Sequence, residues 1–300
     1  MPYHQPVLLQ ESLEGLALQP QGTYIDLTFG GGGHAQAILS QLAGGRLLAF
    51  DQDQDAAQLA SQLQDRSFTF INANARFMEQ FLAFHGVSAA DGILADLGVS
   101  SHQIDTPERG FSTRSDALLD MRMDQQNKRT AQEIIHTYSL DQLTKLLSTY
   151  GEVHPAHALA QAIVSARIQQ PIRTTGALKA IVQPFAPHSK RAQYLAQVFQ
   201  AFRIAVNDEL GALQAMLVQS ARILRKGGRL VVIAYHSLED RLAKRFIKTG
   251  NFTGEAQKDI YGNLIRPLSP VRNKPILPTD QEVQANPRAR SAKLRIGERI

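Results

Sequence analysis

A glycine run set between an apolar strand and a helix constrains this chain more than any other feature. Residues Thr23 to Phe29 read as a strand, Gly30 to Gly33 turn the chain, and His34 opens a helix. Asp51 closes a second strand about 20 residues further on, the reach of a βαβ nucleotide pocket. Glycines let the backbone approach a ligand closely and adopt positive φ. A carboxylate at the tip of the next strand accepts hydrogen bonds from ribose hydroxyls.

The loop does not follow the dinucleotide pattern G-x-G-x-x-G, and Asp26 lies inside the strand before it. Those two features favour S-adenosylmethionine over a nicotinamide cofactor, because no pyrophosphate has to be seated on the helix N-terminus. Two plainer readings stand beside this one: a dehydrogenase using the same Asp51, and a tight strand-to-helix turn with no ligand.

The 300 residues are 43% hydrophobic and 20% charged, as in a globular chain of one large or two ordinary domains. Cysteine is absent, which excludes a disulfide framework, thiolate metal sites and a cysteine nucleophile. No apolar run is long enough to span a membrane, and the opening residues Met1 to Pro6 carry no secretory signature. A cytoplasmic protein without membrane contact is expected. A formal charge of +5 is compatible with a polyanionic partner and does not demand one.

Strand and helix signals alternate through the first hundred residues. Strands are expected at 23–29, 46–51, 67–72 and 92–97, with helices at 33–43, 54–64 and 76–85. This βα alternation predicts an α/β fold with a mainly parallel sheet and right-handed crossovers. From Gly98 to Arg229 only helical signals appear. Thr130, Ser139 and Thr174 are candidate N-caps, Gly151 a helix end, and Pro155 a first-turn residue. Leu195, Val198, Phe199, Phe202 and Val206 form a helical core stripe. Lys226 to Gly228 are expected to close a helix, residues 229–235 to form the fifth strand, and the alternating run 291–298 to add a late one. The domains expected are 1–104 and 206–300 as one α/β body and 105–205 as an inserted small all-helical domain.

Several blocks occur in order along this frame. They are His4 to Leu9, Asp26 to His34, Asp51 to Asp53, Asp91 to Ser101, Arg109 to Ser112, Leu119 to Asp124, Phe199 to Leu210, Gly227 to Leu230, His236 to Arg241 and Asn286 to Arg295. Together they resemble the RsmH, or MraW, family of bacterial methyltransferases. Members use S-adenosylmethionine to methylate N4 of a cytidine in the decoding region of 16S ribosomal RNA. The resemblance implies a class I S-adenosylmethionine-dependent, Rossmann-like methyltransferase fold, with the insert recognising substrate. It implies cofactor contacts at Gly32, Gly33, His34, Asp51, Phe77, Asp96 and Gln103, and a partner in 16S rRNA within the small ribosomal subunit. The chain departs from the common pattern at Gly31, where Arg is usual, at His102 for Pro, and at Ala234 and Tyr235 for Ser and Phe.

Methyl transfer from a sulfonium is an in-line displacement that needs the nucleophile held about 3 to 3.5 Å from the methyl carbon. A cytosine amine is a poor nucleophile, so acceptors aimed at its hydrogens assist. The candidate catalytic residues are Asp96, Ser100 and His236. Asp96 or a nearby carbonyl is expected to accept from N4, Ser100 or Ser101 to contact the base edge, and His236 to contact base or phosphate. The bland alternatives are a core phenylalanine at Phe77, a turn aspartate at Asp96, a loop-surface glutamine at Gln103 and a helix-capping histidine at His236. No G-x-S-x-G elbow supports a hydrolase, and His154 and His157 lack an evident third ligand, so no metal is expected. Arg241, Lys244, Arg245 and Lys248, with Arg288, Arg290, Lys293, Arg295 and Arg299, are candidate phosphate contacts. The apolar insert faces leave a homodimer open, and a non-catalytic RNA-binding protein is the remaining rival.

Overall fold

The computed structural model describes residues 6–300, so His4 and Gln5 of the first block lie outside the described residues. The chain divides into two compact units, one of Met1–Gly98 with Leu210–Ile300 and one of Val99–Glu209.

The first unit opens with α1 (Leu9–Leu16), β1 (Thr23–Asp26), α2 (Gly33–Leu39), β2 (Arg46–Asp51), α3 (Gln54–Ala60), β3 (Phe68–Asn72), α4 (Met78–Phe84) and β4 (Ala90–Asp96). The second unit carries α5 (Ser101–Asp105), α6 (Ala131–Thr137), α7 (Leu140–Gly151), α8 (Ala156–Gln169), α9 (Thr175–Val182) and α10 (Arg191–Asn207). The chain then continues through α11 (Glu209–Ile223), β5 (Leu224–Ala234), α12 (Ser237–Thr249), β6 (Leu268–Pro270), α13 (Asp280–Ala285) and β7 (Lys293–Arg299).

The seven strands form one sheet in the order β3-β2-β1-β4-β5-β7-β6. Strands β1 to β5 pair parallel, and β7 runs antiparallel to both β5 and β6. Successive residues of β2 point to opposite faces and are buried on both. Leu48 and Phe50 join Ile25, Met78, Ile93 and Leu217 on one side, while Leu47 and Ala49 join Tyr24, Ile38, Leu94 and Val231 on the other. Helices on both faces explain why the strands read as continuous apolar runs. The strand order reverses between β1 and β4, and ligands of open α/β sheets sit at the carboxyl ends beside such a reversal.

Two expected boundaries are corrected. The first strand stops at Asp26 rather than Phe29, because Thr28 folds back on the Asp26 carboxylate (N to Oδ1 3.0 Å) and starts the turn. Helix α11 ends at Ile223, and Lys226 to Gly228 belong to β5 instead of closing the helix. There the register jumps from Ala90 opposite Leu224 to Gly92 opposite Arg229, and Gly227 supplies φ +80° for the bulge. The short edge strand β6 carries too little period-two signal to be expected from sequence.

In the second unit, Thr130, Ser139 and Thr174 each accept a backbone N–H three residues on, as N-caps do. The α10 stripe Leu195, Val198, Phe199, Phe202 and Val206 is buried against Leu143, Leu147, Leu159 and Ile163.

Candidate active site at the strand ends

Three aspartates end three neighbouring strands of the first unit: Asp26 on β1, Asp51 on β2 and Asp96 on β4. Each has a distinct anchorage. Asp51 accepts from Gly30 N at 2.8 Å and from Asp53 N at 2.9 Å, so its two oxygens clamp the glycine loop to the end of β2. Asp53 is the buried N-cap of α3. Asp26 is fully buried, and only its Oδ1 is satisfied, by Thr28; Oδ2 has no hydrogen-bond partner among the described residues. Asp96 accepts the Tyr235 hydroxyl on Oδ1 at 2.8 Å, while its backbone N–H donates to Thr28 Oγ1 at 2.7 Å.

Burial raises all three acids. Burial pushes Asp26 up to about 7, against the Thr28 hydrogen bond and with help from Asp51. Burial likewise lifts Asp51 to about 6 despite its backbone donors, with Asp53 adding repulsion. Asp96 is raised to about 7 by desolvation, Asp26 and Glu239, with the Tyr235 hydrogen bond opposing. Its side chain keeps 23% exposure, which leaves it reachable.

His34, in the first turn of α2, is buried, and burial lowers its pKa to about 4. The ring is therefore neutral at physiological pH. Its Nε2 lies 3.2 Å from the Val7 carbonyl, which can only accept, so Nε2 carries the proton and the bare Nδ1 faces Asp96 Oδ2 at 3.7 Å. That pair is a polar contact and not an ion pair.

The glycine loop shows which glycines the backbone requires. Gly32 has φ +77°, and a Cβ there would press on the Phe29 ring at 2.7 Å. At Gly33 a Cβ would collide with the Pro6 ring. Gly31 faces open space, so a larger residue is sterically admissible. The loop is a close-approach surface with a buried acid behind it. It fits a cationic, nucleoside-bearing ligand, because a positive charge nearby favours the ionised form of the buried aspartates.

Phe77 follows β3 and is 48% exposed, so it is not a core residue. With Phe252, Arg76, Gly211, Gln214 and Ala215 it lines an open cavity of about 480 Å³. None of the three strand-end aspartates lines that cavity, though an exposed aromatic face suits a planar base.

His236 is the N-cap residue of α12, yet Glu239 does the capping by accepting from Tyr235 N at 2.9 Å and His236 N at 3.3 Å. The imidazole Nε2 is 3.2 Å from Glu239 Oε1, but neither ring nitrogen makes an aligned hydrogen bond among the described residues. The imidazole is only 9% exposed and lies against the buried Glu239 carboxylate beside Tyr235.

Ser100 and Gln103 belong to the second unit, where they form the capping box of α5. Gln103 N donates to Ser100 Oγ at 3.1 Å, and Ser100 N donates to Gln103 Oε1 at 3.0 Å. Within the first unit the structure brings Asp51, His34 and Asp96 together around the loop. It adds Tyr235, which carries no signal as a site residue beyond its departure from the family pattern.

Several basic candidates have structural work. Arg295 makes a two-pronged pair with Asp240 (2.6 and 3.2 Å), Arg299 donates to the Pro267 carbonyl, and Arg245 to the Phe252 carbonyl. Lys244 and Lys248 remain exposed.

Comparison with known proteins gives one consistent result. The model of the MraW methylase family matches residues 1–300. Ribosomal RNA small subunit methyltransferase H of Amoebophilus asiaticus is 63% identical over 297 residues, covering 99% of this chain and 96% of that protein. The proteins of the same name from Cytophaga hutchinsonii and Flavobacterium johnsoniae are 54% and 53% identical, each covered to 99%, with 99% and 100% of this chain aligned.

Proposed function

We infer that this chain, which belongs to the MraW methylase family, transfers a methyl group from S-adenosylmethionine to the exocyclic N4 amine of a cytidine in small-subunit ribosomal RNA. The observation that carries the reading is Asp96. It is a reachable carboxylate at the end of β4, fixed by Tyr235 and flanked by a neutral histidine, beside a glycine loop clamped by Asp51. Relatives at 50% identity and above bear the name of a small-subunit rRNA methyltransferase, which supports RNA as the acceptor.

When bound, S-adenosylmethionine supplies an electrophilic methyl group on a sulfonium. Gly32, Gly33 and His34 shape the loop that admits it, Asp51 takes the ribose hydroxyls, Phe77 lies against adenine, and Gln103 completes the set. Asp96 accepts a hydrogen bond from the N4 amine and takes up the proton lost on methylation; a pKa near 7 matches that task at physiological pH. His236 and Ser100 contact the base edge or its phosphate. The target base leaves its stack to reach the pocket. Residues 105–205 serve as the substrate-recognition domain, and the substrate is the decoding region of 16S rRNA in the small subunit, met in the cytoplasm.

Labelled methyl transfer to small-subunit RNA, followed by mass mapping of RNA from cells lacking the protein, tests this. A single cytidine should lose one methyl group. Intact modification in those cells, or no donor uptake by folded protein in calorimetry, refutes it.

A further inference from the structure

We propose that α12 and the hairpin after it form a track for single-stranded RNA, running from the end of β5 to an aromatic tip at Tyr261. The proposal rests on the RNA-methyltransferase reading and extends it to how the nucleotides flanking the target are held.

The hairpin is built locally and firmly. Ile265 N donates to Gln257 O at 2.8 Å, Asp259 N to Asn263 O at 2.9 Å, and Lys258 bridges antiparallel to Leu264. Inside the turn the Asp259 carboxylate accepts from Tyr261 N (2.9 Å), Asn263 N (2.8 Å) and Asn263 Nδ2 (3.1 Å), and Gly262 supplies φ +86°. Those donors hold its carboxyl below the usual carboxylate range. The result is a preformed tip that keeps Ile260 92% and Tyr261 82% exposed. Adjacent large apolar side chains held in water by an ordered turn mark a contact surface.

Its root is tied to α12. Arg245 Nη1 donates to the Phe252 carbonyl at 3.2 Å, and Arg266 Nη1 to the Lys248 carbonyl at 3.0 Å. On α12, Arg241, Lys244 and Lys248 are exposed at positions i, i+3 and i+7, one continuous face. The 13-residue helix is about 20 Å long and starts just after His236, which follows the tyrosine that holds Asp96. Its acids do not oppose this face: Glu239 is buried, and Asp240 is paired with Arg295 and Lys293.

Cations on a helix joined to a hairpin with an exposed aromatic match the recognition pattern of unpaired RNA, where charges follow the phosphates and the ring stacks on a base. The same charges disfavour an apolar protein partner at the tip.

The test uses the full-length protein, a fluorescent single-stranded RNA oligonucleotide titrated at several salt concentrations, and methyl transfer to small-subunit RNA, with donor calorimetry as control. Tyr261→Ala should weaken oligonucleotide binding roughly five- to a hundred-fold, leave the salt slope unchanged and leave donor affinity intact, while Tyr261→Phe behaves as wild type. Lys244→Ala with Lys248→Ala should lower the logarithmic salt slope by about 0.7 for each phosphate that is no longer neutralised. Wild-type oligonucleotide binding by Tyr261→Ala overturns the proposal. So does a loss of methylation on assembled subunits with oligonucleotide binding unchanged, which assigns the tip to a protein partner. RNA binding that depends on Tyr261 in a protein that transfers no methyl group refutes the functional reading and leaves the track standing.

Discussion

The helical unit and the strand ends of the sheet unit both bury polar groups, and they treat them in opposite ways. In the helical unit, the buried Arg109 donates to the carbonyls of Arg122 and Met123, at 3.0 and 3.2 Å. Arg203 meets Glu209 through two bonds of 2.8 and 2.9 Å. Asn207 accepts from Met123 N and donates to the carbonyls of Met121 and Arg203. Its one buried side-chain polar atom without a partner among the described residues is the Tyr194 hydroxyl, a neutral group. At the strand ends, by contrast, three carboxyls are desolvated, and among the described residues Asp26 Oδ2 and the His236 ring nitrogens make no hydrogen bond. Satisfied networks specify a fold, whereas buried acids with raised pKa values cluster at functional sites. The blocks around Arg109, Leu119 and Phe199 therefore have a local structural role that family resemblance alone does not separate from chemistry.

The comparison is broken most directly at Asp96. Asp96→Ala should reduce methyl transfer at least about a hundredfold with the unfolding transition little changed; near-normal turnover removes it from the mechanism. In the helical unit the opposite pattern is expected. Arg203→Met strands the Glu209 carboxylate and should cost roughly 3 kcal/mol in urea unfolding, while donor binding by the material that remains folded is unaltered.

Smaller effects sharpen the contrast through pH. Asp26, Asp51 and Asp96 all have folded pKa values raised above the ordinary carboxylate range. Their contribution to stability is therefore full below about pH 4 and is lost as pH rises through 6 to 7. Asp26→Asn should flatten that dependence and make the ligand-free protein about 1 kcal/mol more stable at pH 8, while weakening donor affinity. A variant that is less stable at pH 8 and binds donor normally contradicts the ligand role. In the wild type, donor uptake between pH 6 and 7 should release protons, read as a calorimetric enthalpy that changes with the buffer.

The smallest effect concerns Tyr235, which touches Asp96 and not the reacting atoms. Asp96 is faced by Tyr235, His34, Asp26 and Glu239, and of these the Tyr235 hydroxyl lowers its pKa. Tyr235→Phe should shift the acid limb of the rate profile upward by about one unit and leave the plateau above it nearly unchanged. An unmoved limb shows that the hydroxyl only fills space.

Much of the fold is legible in the sequence because its determinants are local. Apolar periodicity places β2 on its observed residues, hydroxyl side chains mark the helix starts at Thr130, Ser139 and Thr174, and the α10 stripe names its own buried face. The bulge in β5 is not legible, because a Lys-Gly-Gly run signals a helix end and a strand bulge with the same residues. The charged clusters mislead in part, since a sequence does not reveal that Arg295 spends its charge on Asp240.

The sequence by itself determined that a glycine turn lies between β1 and α2, with acids at strand tips, because these follow from residue type and spacing along one stretch of chain. Only the tertiary structure decided that Tyr235 reaches Asp96 across 139 residues, that Asp26 Oδ2 has no hydrogen-bond partner among the described residues, and that an ordered tip exposes Tyr261. Hydrogen bonds and desolvation act between groups the sheet order brings side by side, and no local pattern records which neighbours those are.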